Sequence, residues 1–256
     1  MEKEKVVQVM KRYELKYYLT KDQLIYFKKE IANYMKLDKY GLTSIASLYF
    51  DTPNYQLITR SIEKPKFKEK LRLRSYALAD KNTPTFLEIK RKCDGIVYKR
   101  RIKLAEVDAY NLIKEKETKS KDQISRELAF FMNNYKNLEP KYLIIYDREA
   151  YYQEDSDLRI TIDKNPRYRT TDLNLHTSLE GEPLLEDGGA ILEVKVQHSI
   201  PTWLASILTK GKIYQTSFSK VGTAHQLEMK KSLTHSPIYH EVKQYQLGGY
   251  EYGLTI

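Results

Sequence analysis

The feature that most constrains the fold is a two-residue alternation of basic and apolar side chains. In residues 69–76, EKLRLRSY, the cations Lys70, Arg72 and Arg74 alternate with Leu71 and Leu73. Successive side chains of a β-strand point to opposite faces, so this spacing puts the cations on one face and the leucines on the other. The segment therefore predicts a strand with one apolar and one strongly basic face.

The same alternation returns in other segments, which share a polar face rich in Arg and Lys. These segments are TFLEIKRK (85–92), IVYKRRIKL (96–104), IIYDREAYY (144–152), DLRITID (157–163) and AILEVKVQ (190–197). A sheet with one solvated face explains any single strand, but such a face usually mixes Thr, Ser and Gln with the charges. The pair Glu-x-Lys also occurs three times, at Glu14/Lys16, Glu88/Lys90 and Glu193/Lys195. The set therefore indicates one shared basic surface.

Periodicity predicts eight strands and five helices along the chain. The strands cover 8–19, 44–53, 66–77, 83–92, 96–104, 141–153, 157–163 and 189–197, and the helices cover 21–36, 54–63, 105–135, 202–210 and 218–232. Thr20 and Gln23 have the spacing of a capping box before the first helix. The pattern predicts an α+β fold, an antiparallel eight-stranded β-barrel decorated by helices. No linker rich in Pro, Gly or Ser divides residues 1–256, so we expect a single domain with a core over about 8–232 and a tail over 233–256.

The net charge of +10 indicates an anionic partner, which could be a nucleic acid, an anionic lipid or a small polyanion. A barrel closed around the basic faces would have a cationic lumen, and cations packed there would repel one another unless an anion lay between them. Arginine forks bind phosphate oxygens bidentately and lysines add point charge. The few carboxylates on the same faces could hold a divalent metal together with phosphate oxygens.

Several other site classes are absent from the sequence. It has no Gly-x4-Gly-Lys-Ser/Thr loop, no Gly-x-Gly-x-x-Gly and no His-Glu-x-x-His. The single cysteine, Cys93, excludes an internal disulfide and a cysteine-based zinc site. No run of about 18 apolar residues occurs and the N-terminus lacks an apolar signal core, so we expect a cytoplasmic protein. The 22 tyrosines lie mostly within strands, where packing explains them more simply than base stacking does.

Eight motifs then follow one another in an order that resembles a known family. They are RYELKY (12–17), YFDT (49–52), LRLRSY (71–76), LEIK (87–90), YKRR (98–101), YDREAY (146–151), LRITID (158–163) and LEVK (192–195), and a later FSK (218–220) fits the same pattern. Together they resemble the VTC domain, the polyphosphate polymerase member of the CYTH-like triphosphate tunnel metalloenzymes. The resemblance covers about residues 8–232 and implies a barrel whose tunnel is lined with basic residues.

The resemblance also implies the chemistry and its residues. The triphosphate of ATP would enter the tunnel with Mn²⁺ or Mg²⁺, and the γ-phosphoryl group would pass to a growing inorganic polyphosphate chain. The phosphate-binding residues would be Lys16, Arg72, Arg74, Lys90, Lys99, Arg148, Arg159, Lys195 and Lys220. Those also expected to be catalytic are Arg72, Arg74, Lys90, Arg148 and Lys195. Glu193 would bind the metal, and Glu14 and Glu88 would either help it or act as structural ion-pair partners.

One departure separates this chain from tunnel triphosphatases, which begin with Glu-x-Glu-x-Lys. The first of those positions is Arg12 here, which implies fewer metal ligands and a more cationic tunnel. Two alternatives remain open. One is a tunnel triphosphatase acting on ATP, RNA 5′-triphosphate or tripolyphosphate, and the other is a non-catalytic module that binds polyphosphate or nucleic acid. For the polymerase we expect no nucleic-acid partner, and the family often works with a separate membrane protein, so association with a membrane would come through that partner.

Overall fold

One antiparallel sheet organises the chain. The computed structural model describes residues 13–63, 65–80, 83–94, 96–117, 122–185 and 188–234. Its strands are β1 (Tyr13–Leu19), β2 (Lys36–Asp51), β3 (Phe67–Ser75), β4 (Thr85–Cys93), β5 (Ile96–Leu104), β6 (Glu139–Tyr152), β7 (Arg159–Arg169), β8 (Glu182–Pro183), β9 (Ala190–Val196) and β10 (Gln215–Thr216). Its helices are α1 (Lys21–Ile31), α2 (Gln56–Ile62), α3 (Glu106–Glu115), α4 (Gln123–Asn133), α5 (Thr202–Lys210) and α6 (Lys220–Thr234).

The sheet curls into an open barrel. Its strands follow the order β10-β1-β9-β7-β6-β2-β3-β4-β5, with β8 paired to β7. In the part of the chain that the structure describes, no ladder joins β5 to β1 or β10. Lys90 of β4 and Glu14 of β1 nevertheless approach to 3.4 Å, although their strands lie far apart along the sheet. The predicted α+β fold and antiparallel sheet are confirmed: eight strands have seven or more residues, and two further strands have only two residues each.

The outward, convex face of the sheet is covered by two pairs of helices. Leucines of β3 and β4 pack beneath α3 and α4, where Leu128 and Phe131 are fully buried. Apolar side chains of β1, β7 and β9 pack beneath α1 and α5 around Phe27 and Leu204. This burial explains why the apolar half of each alternating strand was readable in the sequence. No helix of the described ranges has the length and apolar character needed to cross a membrane.

The concave face carries the polar half of each strand, and α6 lies against part of it. Val221 and Ala224 of α6 pack in one cluster with Tyr142 and Tyr146 of β6. The segment just before α6 also fills space between strands. Lys16 of β1 donates to the backbone oxygen of Phe218 at 3.2 Å, and Lys70 of β3 donates to Ser219 Oγ at 2.9 Å. Residues 218–219 therefore lie between β1 and β3.

Several predicted boundaries were wrong. β2 begins at Lys36 instead of 44, because its exposed first half pairs with the end of β6 across a register shift and lacks an apolar alternation. The predicted helix over 105–135 is two helices, and α3 ends where Lys116 adopts a left-handed φ of 57°. β7 continues to Arg169 rather than ending at 163, and α1 ends at Ile31 rather than 36. Residues 8–12 and 235–256 lie outside the described ranges.

Two side chains fix where helices begin. Thr20 and Gln23 form the predicted capping box, with each side chain accepting the other residue's backbone N–H. Asp51 is fully buried at the end of β2 and accepts backbone N–H groups from Leu57 at 2.9 Å and Ile58 at 2.7 Å. The carboxylate thus satisfies donors in the first turn of α2, which have no partner within the helix. The aspartate of the motif YFDT therefore has a structural role at the start of α2 and does not face the cations.

We predict that Asp51→Asn destabilises the protein by about 1–3 kcal/mol, because its amide NH₂ would point at a buried N–H that needs an acceptor. Urea denaturation followed by circular dichroism measures this loss. The matched control is Asp155→Asn, at an exposed turn position with φ 55°, where asparagine is also favourable. Equal unfolding midpoints for the two variants would contradict the capping role.

Candidate anion-binding site

Three cation–carboxylate pairs stand directly opposite one another on neighbouring strands of the concave face. Lys16 faces Glu193 between β1 and β9, with Nζ 3.4 Å from Oε1. The other two pairs involve arginines. Arg148 faces Asp163 between β6 and β7 and binds it bidentately at 2.5 and 2.7 Å. Arg72 faces Glu88 between β3 and β4, at 2.7–2.8 Å. The alternation in each strand thus brings opposite charges together once the strands pair.

Glu193 is the most crowded carboxylate of the site. Its Oε2 lies 3.1 Å from Lys195 Nζ and 3.4 Å from Arg148 Nη2, while Lys16 lies near Oε1. Burial raises the pKa of Glu193, but Lys195, Lys220 and the other cations outweigh it and hold the pKa well below the usual range. The carboxylate therefore stays ionised and neutralises part of the surrounding positive charge.

Glu14 links two sides of the open barrel. Its Oε1 lies 3.3 Å from Lys16 and its Oε2 lies 3.4 Å from Lys90, which belongs to a strand that does not pair with β1. Burial by itself raises the pKa of Glu14. The positive charges of Lys90 and Lys16 outweigh burial and bring this pKa down to about 2. The pKa of Lys16 shifts upwards. Burial disfavours the charged form of Lys16, but Glu193 and Glu14 favour it and raise its pKa to about 12.

A second charged group lies on β3, β4 and β5. Glu88 has a fully buried side chain and contacts both Arg72 and Lys99, the latter at 2.6 Å. Burial opposes its ionisation, but the two arginines of β3 and Lys99 bring its pKa to about 2. Tyr49 accepts a hydrogen bond from Arg72 at 3.0 Å, and although burial raises its pKa, Arg72 and Lys70 lower it to about 7.

Arg74 and Lys70 have no carboxylate within 4.0 Å among the residues that the structure describes. Arg74 is 6% exposed and donates only to the hydroxyls of Ser47 and Tyr146, at 3.2 and 3.0 Å. Lys70 donates to Ser219 Oγ, and burial lowers its pKa to about 7, with Lys90 and Lys16 contributing repulsion. Neither side chain has a carboxylate to compensate its positive charge, and a bound anion would stabilise Arg74 and favour the protonated form of Lys70.

The structure brings eight of the nine predicted phosphate-binding residues onto this one face. Lys220, at the start of α6, contacts Asp163 and lies 4.5 Å above the Tyr146 ring. Arg159 is the exception: it stands opposite Lys195 in the ladder, but its guanidinium is exposed and donates to the backbone oxygens of Ser156 and Leu158. Sequence reasoning left Lys70, Asp163, Tyr49 and Tyr146 out of the predicted set. The sequence did indicate Lys70, because it follows the same alternation as Arg72 and Arg74. The roles of the other three residues depend on strand pairing.

Two carboxylates converge closely enough to hold a cation. Glu14 and Glu193 both contact the Lys16 ammonium, at 3.3 and 3.4 Å, so their oxygens already share one positive group. Within the described ranges, no three His, Cys, Asp or Glu side chains cluster as a protein-only metal cage. A divalent ion held by these two carboxylates would take its remaining ligands from phosphate oxygens and water, as Mg²⁺ commonly does. Glu88 lies apart from this pair, with both of its oxygens directed at cations.

We predict that Lys70→Met changes how stability depends on pH. A lysine with a folded pKa near 7 and an unfolded pKa near 10.5 carries fewer protons when folded over that window, so its contribution to the unfolding free energy rises with pH. Lys70→Met should therefore be more stable than the wild type below pH 7. This difference in stability should shrink as the pH rises and should disappear by about pH 10.

Urea midpoints at pH 6.5, 8 and 9.5 measure the effect, and Lys29→Met, at an exposed position of α1, is the matched control. A stability difference between Lys70→Met and the wild type that stays constant across these pH values would contradict the buried, partly neutralised lysine.

Comparison with solved structures finds proteins of low sequence identity. A candidate adenylate cyclase from Vibrio parahaemolyticus is 13% identical, with 84% of this chain and 98% of that chain covered and a TM-score of 0.48. One from Bacillus halodurans is 15% identical, with 82% and 96% covered and a TM-score of 0.47. The PH1819 protein of Pyrococcus horikoshii is 14% identical, with 84% and 99% covered and a TM-score of 0.45.

No curated protein matches this chain. A family model does match, over residues 11–228, and its description is the VTC domain. The matched span runs from β1 into α6 and includes every cation and carboxylate of the site described above. Because the match covers far more than half of the sequence, the chain belongs to the VTC domain family.

Proposed function

We propose that this protein is a polyphosphate polymerase that transfers the γ-phosphoryl group of ATP to the end of an inorganic polyphosphate chain. The coarser conclusion, a phosphate-related function of the tunnel-type fold, follows from the family. The observation that supports the finer one is the pair Lys70 and Arg74, a half-buried and a buried basic side chain that lack a carboxylate in the described residues. Their neighbours Arg72 and Lys90 extend the positive surface to both sides, as a chain of linked phosphates requires.

The reaction needs little covalent chemistry from the protein. A terminal oxygen of the polyphosphate chain attacks the γ-phosphorus, the bond from that phosphorus to the β–γ bridging oxygen breaks, and ADP leaves with the bond's electrons. Catalysis of this kind rests on in-line positioning and on neutralising charge around the transferred group. No side chain becomes a nucleophile, because the phosphate terminus already is one.

The arginines are suited to that positioning because their forks are held in place before the substrate arrives. Glu88 receives Nε and Nη2 of Arg72, and Tyr49 receives Nη1. Ser47 and Tyr146 orient Arg74 in the same way. Donors held rigidly in a partly buried site stabilise developing charge without reorganising during the reaction. Lys90, Lys195 and Lys220 would add positive charge along the phosphate chain.

Mn²⁺ or Mg²⁺ fits the pair Glu14 and Glu193 on the opposite wall of the site. When bound there with phosphate oxygens, the ion would supply Lewis-acid neutralisation of the transferred group. The two carboxylates would hold the ion, while Lys16 between them would be free to turn towards phosphate. Water in place of the phosphate terminus would give a triphosphatase, so the acceptor decides between the two reactions.

We predict that the purified protein, given ATP, Mn²⁺ and a short polyphosphate primer, forms long polymer and releases ADP. Polymer-stained gels and a nucleotide assay measure the products, and a phosphate-release assay runs alongside. Orthophosphate without polymer would refute the polymerase and support a triphosphatase. Binding of polyphosphate with steep salt dependence but without turnover would point to a non-catalytic module.

We further predict that Arg72→Ala lowers kcat/KM for ATP by about 30- to 1000-fold, equivalent to roughly 2–4 kcal/mol of lost transition-state stabilisation. The matched control is Arg100→Ala, because Arg100 lies on the outer face of β5 and pairs with Glu127 of α4. Both variants remove a guanidinium from an ion pair in a neighbouring part of the sheet, so a similar loss in both would indicate a folding defect. Full turnover by Arg72→Ala would refute the site.

A further inference from the structure

An exposed pair of aromatic rings stands next to the phosphate-gripping arginines. Tyr76 follows β3 two residues after Arg74, and Phe86 of β4 is the residue directly opposite Arg74 in the ladder. The two rings meet edge to face, with centroids 5.7 Å apart and planes at 78°. Tyr76 is 42% exposed and Phe86 is partly exposed, so this large apolar surface is incompletely covered.

Cations surround these rings. The guanidinium carbon of Arg101 lies 5.0 Å from the Phe86 centroid, and that of Arg74 lies 6.0 Å from the Tyr76 centroid. Arg101 is exposed and, within the described ranges, has no carboxylate within 4.0 Å. Tyr76 keeps 42% of its surface exposed beside these arginines, so part of its aromatic ring is accessible to a ligand. Exposed aromatic rings flanked by arginine planes are the groups on which nucleobases stack.

We propose that Tyr76, Phe86 and Arg101 form a stacking platform for the base of the nucleoside triphosphate whose phosphates lie on Arg72 and Arg74. This inference rests on the proposed function, because it assigns a place to the part of the donor outside the phosphate groups. Arg74 joins the two subsites: its buried guanidinium belongs to the phosphate site, and its neighbours along and across the ladder are the two rings.

The platform has a consequence for specificity. Stacking uses the π-face that every base possesses and reads no hydrogen-bonding edge, so it discriminates weakly between bases. The donor site should therefore accept ATP and GTP with similar affinity, within about 10-fold. It should bind either one more tightly than inorganic tripolyphosphate, which offers the same phosphate chain without a base.

Dissociation constants of the β,γ-imido analogue of ATP and of tripolyphosphate, measured by calorimetry in the same Mg²⁺ buffer, test the proposal. Tyr76→Ala and Phe86→Leu should each weaken nucleotide binding by about 5- to 100-fold, the usual range for one base–aromatic contact. Binding of tripolyphosphate should be unchanged. Tyr76→Phe keeps the ring and should restore wild-type affinity, and Phe130→Ala, at an exposed position on α4, is the matched control.

A fluorescence measurement distinguishes the loss of base stacking from a general disruption of the binding site. The fluorescence of 1,N⁶-etheno-ATP should be quenched on binding to the wild type and to Tyr76→Phe, but less on binding to Tyr76→Ala at saturating protein. Equal losses for nucleotide and tripolyphosphate, or no loss for either, would overturn the platform while leaving the phosphate site standing. If the wild type binds neither ligand, the proposed function is wrong and the platform falls with it.

Discussion

The structure depends on the neutralisation of inward-pointing cations by carboxylates on the next strand. Lys16 faces Glu193, Arg72 faces Glu88, and Arg148 faces Asp163. Each pair lies across a ladder at a distance of hydrogen-bonding length. Without these acids, the curled sheet would bring like charges together in a partly buried space, where repulsion is weakly screened. The same pairs that allow the sheet to curl also fix the arginine forks. Folding and the proposed phosphate binding would therefore share one set of contacts.

The carboxylates neutralise only part of the positive charge on the concave face. Glu193 and Glu88 each contact more than one cation, so each holds several side chains at defined positions. Lys70 and Arg74 remain without such a partner in the described residues and contribute to the excess positive charge. An incoming phosphate would meet donors that are already oriented, which lowers the entropic cost of organising them during binding.

The sequence made the strands predictable and left their pairing unknown. Alternation identifies the inward positions of β3, β4 and β9 because it reflects burial of the other face, a property of each strand alone. That Asp163 binds Arg148, or that Glu14 of β1 reaches Lys90 of β4, depends on strand order and curvature, which no local pattern encodes. Arg159 shows the converse: its position fits the alternation, yet it lies near the start of β7 and its guanidinium turns to backbone oxygens.

The charges are distributed unequally between the two walls of the open barrel, and this would give a triphosphate bound as proposed a direction. The wall of β3, β4 and β5 has one inward-facing carboxylate, Glu88, among many inward-facing cations, which include Lys70, Arg72, Arg74, Lys90, Lys99 and Arg101. The wall of β1, β9, β7 and β6 carries three carboxylates: Glu14, Asp163 and Glu193. A polyanion would therefore lie closer to the first wall, and a divalent ion would bridge it to the second. Because the aromatic pair Tyr76 and Phe86 borders only the first wall, the nucleoside end of a donor would lie there, and the terminal phosphate would lie further along the row of cations.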